Sequence, residues 1–187
     1  MKLDIKILSS NEIDQAIDCF ARAIDRDWPN TREEAAGWVN DEFHNFNSII
    51  FGAVFENKII GTCSLIPLNF VFNKLQNDER EKVENGLKRI GVNFQKAIYI
   101  GGLAVEKKYE GRGVATDLFT FVENYAINNG WEFLIGYTAR PSVKYNTIKA
   151  LPIVLSRFHV KELPMPRKIF HLSPVDLEKV WFYKLLK

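Results

Sequence analysis

The stretch VEKKYEGRGVATDLF, Val105 to Phe119, sets glycines at 111 and 113 around a single arginine, just where a strand pattern gives way to a helical one. A helix start leaves its first four N–H groups without intrahelical partners and turns the positive end of the helix dipole toward whatever lies there. An anion is the natural guest. Glycine at the two closest positions keeps side chains aside, so that the amides of Arg112 to Thr116 can reach phosphate oxygens.

Other glycine loops fit less well. A Walker loop ends in Gly-Lys-Ser/Thr, which is absent here. A dinucleotide fingerprint follows the first strand and carries a third Gly or Ala where this chain has Thr116. A turn without a ligand is the better reading of an isolated Gly-x-Gly, but not of one that joins a strand to a helix.

Periodicity supplies the elements that must hold this loop. Leu3 to Leu8 alternates apolar and charged residues, as a half-wet strand does. Ser9 and Ser10 offer a cap to an amphipathic helix over 11–24, with Ile13, Ala16, Ile17, Phe20 and Ile24 on one face. Asp27 to Asn30, with Pro29 inside, breaks it, and Thr31-Arg32-Glu33-Glu34 is a capping box for a second helix carrying Ala35, Trp38 and Val39. Ser48 to Phe55 and Ile59 to Leu65, around Glu56-Asn57-Lys58, predict a hairpin. Residues 67–96 form a helix-patterned insertion. Ala97 to Val105 is an apolar strand in which Gly101-Gly102 predicts a bulge or a close backbone approach.

From Val114 the apolar stripe Leu118, Phe121, Val122, Tyr125, Ala126 predicts a long helix ending at Asn128-Asn129-Gly130. Trp131 to Tyr137 reads as a strand and Pro141 to Leu155 as a helix interrupted by Pro152. Phe158 to Glu162 and Arg167 to Leu172 are expected to be short strands. Ser173-Pro174-Val175-Asp176 then caps an expected last helix carrying Leu177, Val180, Trp181 and Leu185. The whole reads as one α/β (α+β) domain over 1–187 with no linker or repeat.

At 187 residues, 47% hydrophobic and 26% charged, the chain can bury one sizeable core. The net charge of +2 and the absence of a dense basic run argue against nucleic acid. Cys19 and Cys63 form neither a disulfide framework nor a metal spacing, and His44, His159 and His171 are dispersed, so no metal is expected. MKLDIKILSS lacks the apolar core of a leader, and no stretch reaches the ~18 apolar residues of a membrane span. A cytoplasmic location is expected.

The segment LAVEKKYEGRGVAT, Leu103 to Thr116, resembles the acetyl-CoA signature of the GNAT acetyltransferase superfamily: Gln or Arg, any two residues, Gly, any one, Gly or Ala. Glu110, Gly111, Arg112, Gly113, Val114 and Ala115 align with it, with Glu110 in place of Gln or Arg. Val105 and Tyr109 stand at the usual distances before the loop. The resemblance implies a central mixed, mostly antiparallel sheet of about seven strands flanked by helices, the insertion and the last helix being additions. It also implies acetyl-CoA as acyl donor, with the backbone of Leu103, Ala104 and Val105 pairing with the pantetheine arm and the loop holding the pyrophosphate. Asn146, twelve residues before Phe158, matches an asparagine that touches the cofactor arm in this family. Seven residues beyond it, where the family places a tyrosine that protonates the leaving thiolate, stands Ile153.

Acyl transfer from a thioester to an amine needs a neutral amine, a stabilised oxyanion and a thiolate that can leave. A backbone N–H at the bulge near Leu103 is the candidate oxyanion donor, worth about 3 kcal/mol. Strand Ala97 to Val105 offers no carboxylate as general base, so a water chain is expected to serve. Tyr145 is the candidate acid, with Tyr137 the other nearby tyrosine, both also readable as packing residues. Between Asp25 and Glu42 the acids Asp25, Asp27, Glu33, Glu34, Asp41 and Glu42 exceed Arg26 and Arg32 by four charges, which would draw a cationic amine. Lys107, Lys108 and Arg112 would favour the anionic nucleotide.

The expected activity is therefore N-acetyl transfer from acetyl-CoA to a primary amine of a small molecule or peptide, by direct attack in a ternary complex. The alternative is a non-catalytic acyl-CoA-binding sensor or regulatory module. A third reading gives the last helix, with Trp181 and Leu185, a homodimer face.

Overall fold

The computed structural model describes residues 2–24, 32–45, 47–141, 156–165, 168–172 and 175–186. They group into two compact units, each discontinuous in sequence: Met1–Ile66 with Ile100–Tyr125, and Pro67–Tyr99 with Ala126–Lys187.

In the first unit β1 (Asp4–Ile7), β2 (Ile49–Phe55) and β3 (Lys58–Pro67) are antiparallel neighbours, followed by the Ile100–Val105 part of β4 (Ala97–Val105). The β2–β3 turn places Glu56 and Asn57 at φ of 49° and 60°, the left-handed pair a tight hairpin demands. Ala53 faces Gly61 while Val54 faces Ile59, so Ile60 is an extra residue in β3, a bulge.

Helix α1 (Ile13–Ile24) starts where the Ser9 amide donates to Glu12 Oε2 at 3.0 Å, and Lys6 anchors the other carboxylate oxygen at 2.8 Å. Those bonds, Lys6 first and then Ser9, pull the Glu12 carboxyl down to about 2. The expected stripe Ile13, Ala16, Ile17 and Phe20 is buried against Val39 and Phe43 of α2 (Arg32–Phe43), against Leu8 just after β1, and against Ile50, Ile59 and Ala104 of the strands. A second cluster gathers Ala53, Ile60 and Tyr109 around Val114, the first residue of α5 (Val114–Asn128). Phe121 and Tyr125 of that helix meet the ring of Phe51 edge-on at 6.1 and 5.3 Å.

In the second unit Ala97, Ile98 and Tyr99 of β4 pair in parallel with Phe133, Leu134 and Ile135 of β5 (Phe133–Pro141). The insertion is two helices, α3 (Leu68–Lys74) and α4 (Asn77–Arg89), as its pattern predicts, with Val83 and Leu87 fully buried. They border a cleft of about 530 Å³ whose lining includes Phe72, Phe94, Trp131, Arg80 and Lys88. The short strands β6 (Lys161–Glu162) and β7 (Lys168–Leu172) are shorter than the expected pair, with residues 156–157 helical and His159 in a turn at φ 52°.

The expected last helix is not formed. Val175–Leu185 is β8, antiparallel to β5 from Phe133↔Leu185 to Pro141↔Leu177, and paired with β6 and β7 as well. Leu177, Val180, Trp181 and Leu185 do fit a helical stripe, but the run is rich in Val, Trp, Phe and Tyr, and three strand partners decide its state. The dimer face expected on that helix loses its helix: Trp181 and Leu185 both lie in β8, with Trp181 buried and Leu185 exposed. The helix expected between Pro141 and Leu155 lies at 142–155, outside the described residues.

Candidate active site

The glycine-flanked loop takes the form its glycines require. After Val105, Glu106 starts a short turn of helix, Lys107–Tyr109, whose hydrogen bonds run from the Tyr109 amide to the Glu106 carbonyl and from the Glu110 amide to the Lys107 carbonyl. Gly111 and Gly113 then adopt φ of 72° and 86°, which L side chains rarely reach. Space beside Gly111 is open, and the nearest atom to a side chain at Gly113 would be Asp117 Oδ2 at 3.9 Å. The Asp117 amide donates to the Gly113 carbonyl at 2.9 Å, so the amides of Val114, Ala115 and Thr116 stand upstream of this helical bond. Buried Val114 pins the helix start in the core.

Beside the loop, Tyr109 is buried and packs edge-on against Phe55 at 5.9 Å. Lys108 Nζ and Arg112 Cζ lie 4.7 and 5.9 Å from its ring centre, so two cations gather at this corner. A hydrogen bond with Tyr109 raises the Lys108 ammonium above its ordinary value.

Gly102 is left-handed at φ 56°, the expected irregularity in β4, and the ring of Phe43 covers it so closely that a Cβ there would lie 2.6 Å from Phe43 Cε1. The Gly102 carbonyl accepts a hydrogen bond from Thr62 Oγ1 at 2.9 Å. Leu103 and Val105 are partly exposed and Ala104 is buried.

Two features of this region escaped the sequence reading. Glu106 lies one residue past the strand searched for a carboxylate, and is buried. Its Oε1 meets Arg22 Nη2 at 2.7 Å and Lys58 Nζ at 3.0 Å. Burial pushes its carboxyl up, but the hydrogen bonds of Lys58 and Arg22 outweigh this and hold it below its ordinary value, which ill suits a general base. Thr62 was passed over as part of an apolar run; the signal was a hydroxyl residue amid residues otherwise fit for the core.

Other candidates are dispersed. Tyr145, Asn146, Asp25, Arg26 and Asp27 lie outside the described residues. Glu33, Glu34, Asp41 and Glu42 lie on α2, while Arg32 pairs with Asp18 of α1. His44 contacts Asp14 Oδ1 at 3.4 Å and the Asn40 carbonyl at 3.1 Å, and no metal-binding group of side chains occurs among the described residues. No described helix is long and apolar enough to cross a membrane.

A mixed, mostly antiparallel sheet flanked by helices, with a glycine-flanked turn ahead of a long helix, defines an α/β protein. Residues 17–143 match the Acetyltransferase (GNAT) family, and the chain belongs to that family, as an acyltransferase of GNAT type. Similar folds occur in an N-acetyltransferase from Staphylococcus aureus Mu50 (14% identity, all of both chains covered, TM-score 0.65). They also occur in the ribosomal-protein-S18-alanine N-acetyltransferase from Escherichia coli (11%, 100% of this chain and 95% of that one, TM-score 0.65). An aminoglycoside 6′-N-acetyltransferase complexed with coenzyme A is a third (14%, 98% and 97%, TM-score 0.60). No curated protein sequence matches significantly.

Proposed function

We propose that residues 1–187 act as one N-acetyltransferase domain that moves the acetyl group of acetyl-CoA to a primary amine of a small molecule or peptide, by direct attack in a ternary complex. The observation that carries this reading is the pair Gly111 and Gly113, both left-handed, Gly111 in open space and Gly113 with no atom closer to a Cβ than Asp117 Oδ2 at 3.9 Å, ahead of the α5 amides. These amides would hold the pyrophosphate, with Lys108 and Arg112 adding charge. Membership of the family and the coenzyme A in a protein of similar fold support the choice of donor.

In this reading the backbone of Leu103 to Val105 pairs with the pantetheine arm, and the Leu103 N–H receives the charge that develops on the thioester oxygen. The ion-paired Glu106 is not the base, so the amine loses its proton to water. Tyr145 remains our candidate for protonating the thiolate, and Asn146 for touching the arm. The acidic residues of α2 favour a cationic acceptor. Two buried free thiols, Cys19 and Cys63, suit a reducing cytoplasm.

The test is thiol release from acetyl-CoA in the presence of polyamines, aminoglycosides, amino acids and peptide N-termini. Acceptor-dependent release supports transfer; coenzyme A binding without release across the panel favours a sensor module instead.

A further inference from the structure

Thr62 and Ser64 put two hydroxyls into β3 at full burial, where a polar group costs free energy unless it is bonded. Thr62 is bonded: its Oγ1 donates to the Gly102 carbonyl at 2.9 Å. That carbonyl belongs to the same peptide unit as the Leu103 N–H. A trans peptide is planar, with its C=O and N–H pointing in opposite directions, so whatever holds one aims the other. The hydroxyl holds the carbonyl on its own side, so the Leu103 N–H of the same planar unit points the opposite way, away from Thr62 Oγ1. Gly102 itself, left-handed at φ 56°, does not fix this plane by side-chain sterics.

We propose that Thr62 is a positioning residue for acetyl transfer, holding the Gly102–Leu103 peptide so that its N–H is set for the developing oxyanion before substrate arrives. The inference rests on reading the Leu103 amide as the oxyanion donor. Preorganisation of this kind acts on the transition state, so its loss falls on kcat rather than on coenzyme binding. A hydroxyl that merely satisfied the carbonyl would affect stability and leave kcat alone.

The experiment compares wild type with Thr62→Val, which keeps the shape and removes the donor, and Thr62→Ser, which keeps the donor. The readouts are kcat and KM for acetyl-CoA with an acceptor from the panel, coenzyme A affinity by calorimetry, and melting temperature. We expect Thr62→Val to lose about tenfold or more in kcat, as a weakened oxyanion donor should, with coenzyme A affinity within about twofold of wild type. Thr62→Ser should recover most of kcat. Should the valine variant not fold, Thr62→Ala takes its place. Undiminished kcat in a folded donor-less variant, or a loss that serine does not recover, overturns the positioning role while leaving acetyl transfer standing. A wild type without turnover overturns the acetyl-transfer reading itself, and this inference with it.

Discussion

Arg22 Nη2 on α1 lies 2.7 Å from Glu106 Oε1, a pair 84 residues apart in sequence that clamps the exit of β4. Arg22 Nε reaches the same oxygen at 2.9 Å, and Lys58 Nζ stands 3.1 Å from the other. Because Glu106 also begins the turn that leads to Gly111, the network ties the start of the glycine loop to α1 and β3. It is electrostatic scaffolding under the glycine turn.

Removing one side of this cluster should cost more than removing the other. Arg22→Met strands a buried carboxylate with one half-exposed lysine, and we expect about 2–4 kcal/mol lost in urea unfolding. Glu106→Gln leaves two cations that reach water, and should cost about 1–2 kcal/mol. The pH dependence follows from the depressed folded-state value of Glu106. Its contribution is present above the ordinary 4.5 and is lost as pH falls through the folded value, where the unfolded chain binds more protons. Glu106→Gln should therefore flatten the acid side of the stability profile. An equally steep acid limb in the variant would remove Glu106 from that role.

Gly102→Ala brings two separable penalties. A left-handed alanine costs about 1–2 kcal/mol, and the Cβ 2.6 Å from Phe43 Cε1 forces a ring or strand to move for about 1–3 more. In a Phe43→Leu background the second part should shrink and the first persist, so a double-mutant cycle should give a clear coupling. Additive effects would mean that Phe43 does not crowd Gly102.

Much of this architecture is legible in local pattern. The α1 stripe, the β2–β3 hairpin around Asn57 and the Gly130 helix stop, at φ 79°, each rest on residues whose periodicity or tolerance of left-handed backbone marks the conformation locally. The glycine loop belongs with them, because Gly111 and Gly113 advertise left-handed backbone before any contact is known. Val175–Leu185 was misread because its spacing suits both states and its ladder partners, β5 to β7, are tertiary facts. Glu106 and Thr62 were missed for a related reason. A buried carboxylate and a carbonyl-holding hydroxyl are defined by Arg22, Lys58 and Gly102, none of them a sequence neighbour.

Trp181 Nε1 donates to Glu79 Oε1 at 3.1 Å, joining α4 of the insertion to β8. Glu79 is buried, so Trp181→Phe should remove a donor it relies on and cost about 1–3 kcal/mol beyond the change in ring size. Glu79→Gln keeps an oxygen that can accept from the indole and should cost less. Chemical denaturation of both variants checks the order; a glutamine variant weaker than the phenylalanine one would contradict it.

Gly113 offers the sharpest test of the phosphate grip, provided that backbone strain is separated from blockage. A valine there would confound the two at φ 86°, whereas asparagine tolerates left-handed backbone and still places a side chain over the α5 amides. Gly91 supplies the control. It has φ 74°, nothing within 4 Å of a Cβ and no part in the loop, so Gly91→Asn carries similar strain without blockage. Both variants should lose similar, small amounts of stability in calorimetric melting. Only Gly113→Asn should weaken coenzyme A, by about ten- to a hundredfold in Kd if one charge-assisted hydrogen bond is lost. Equal coenzyme affinity in the two folded variants would mean that the amides behind Gly113 do not hold the diphosphate.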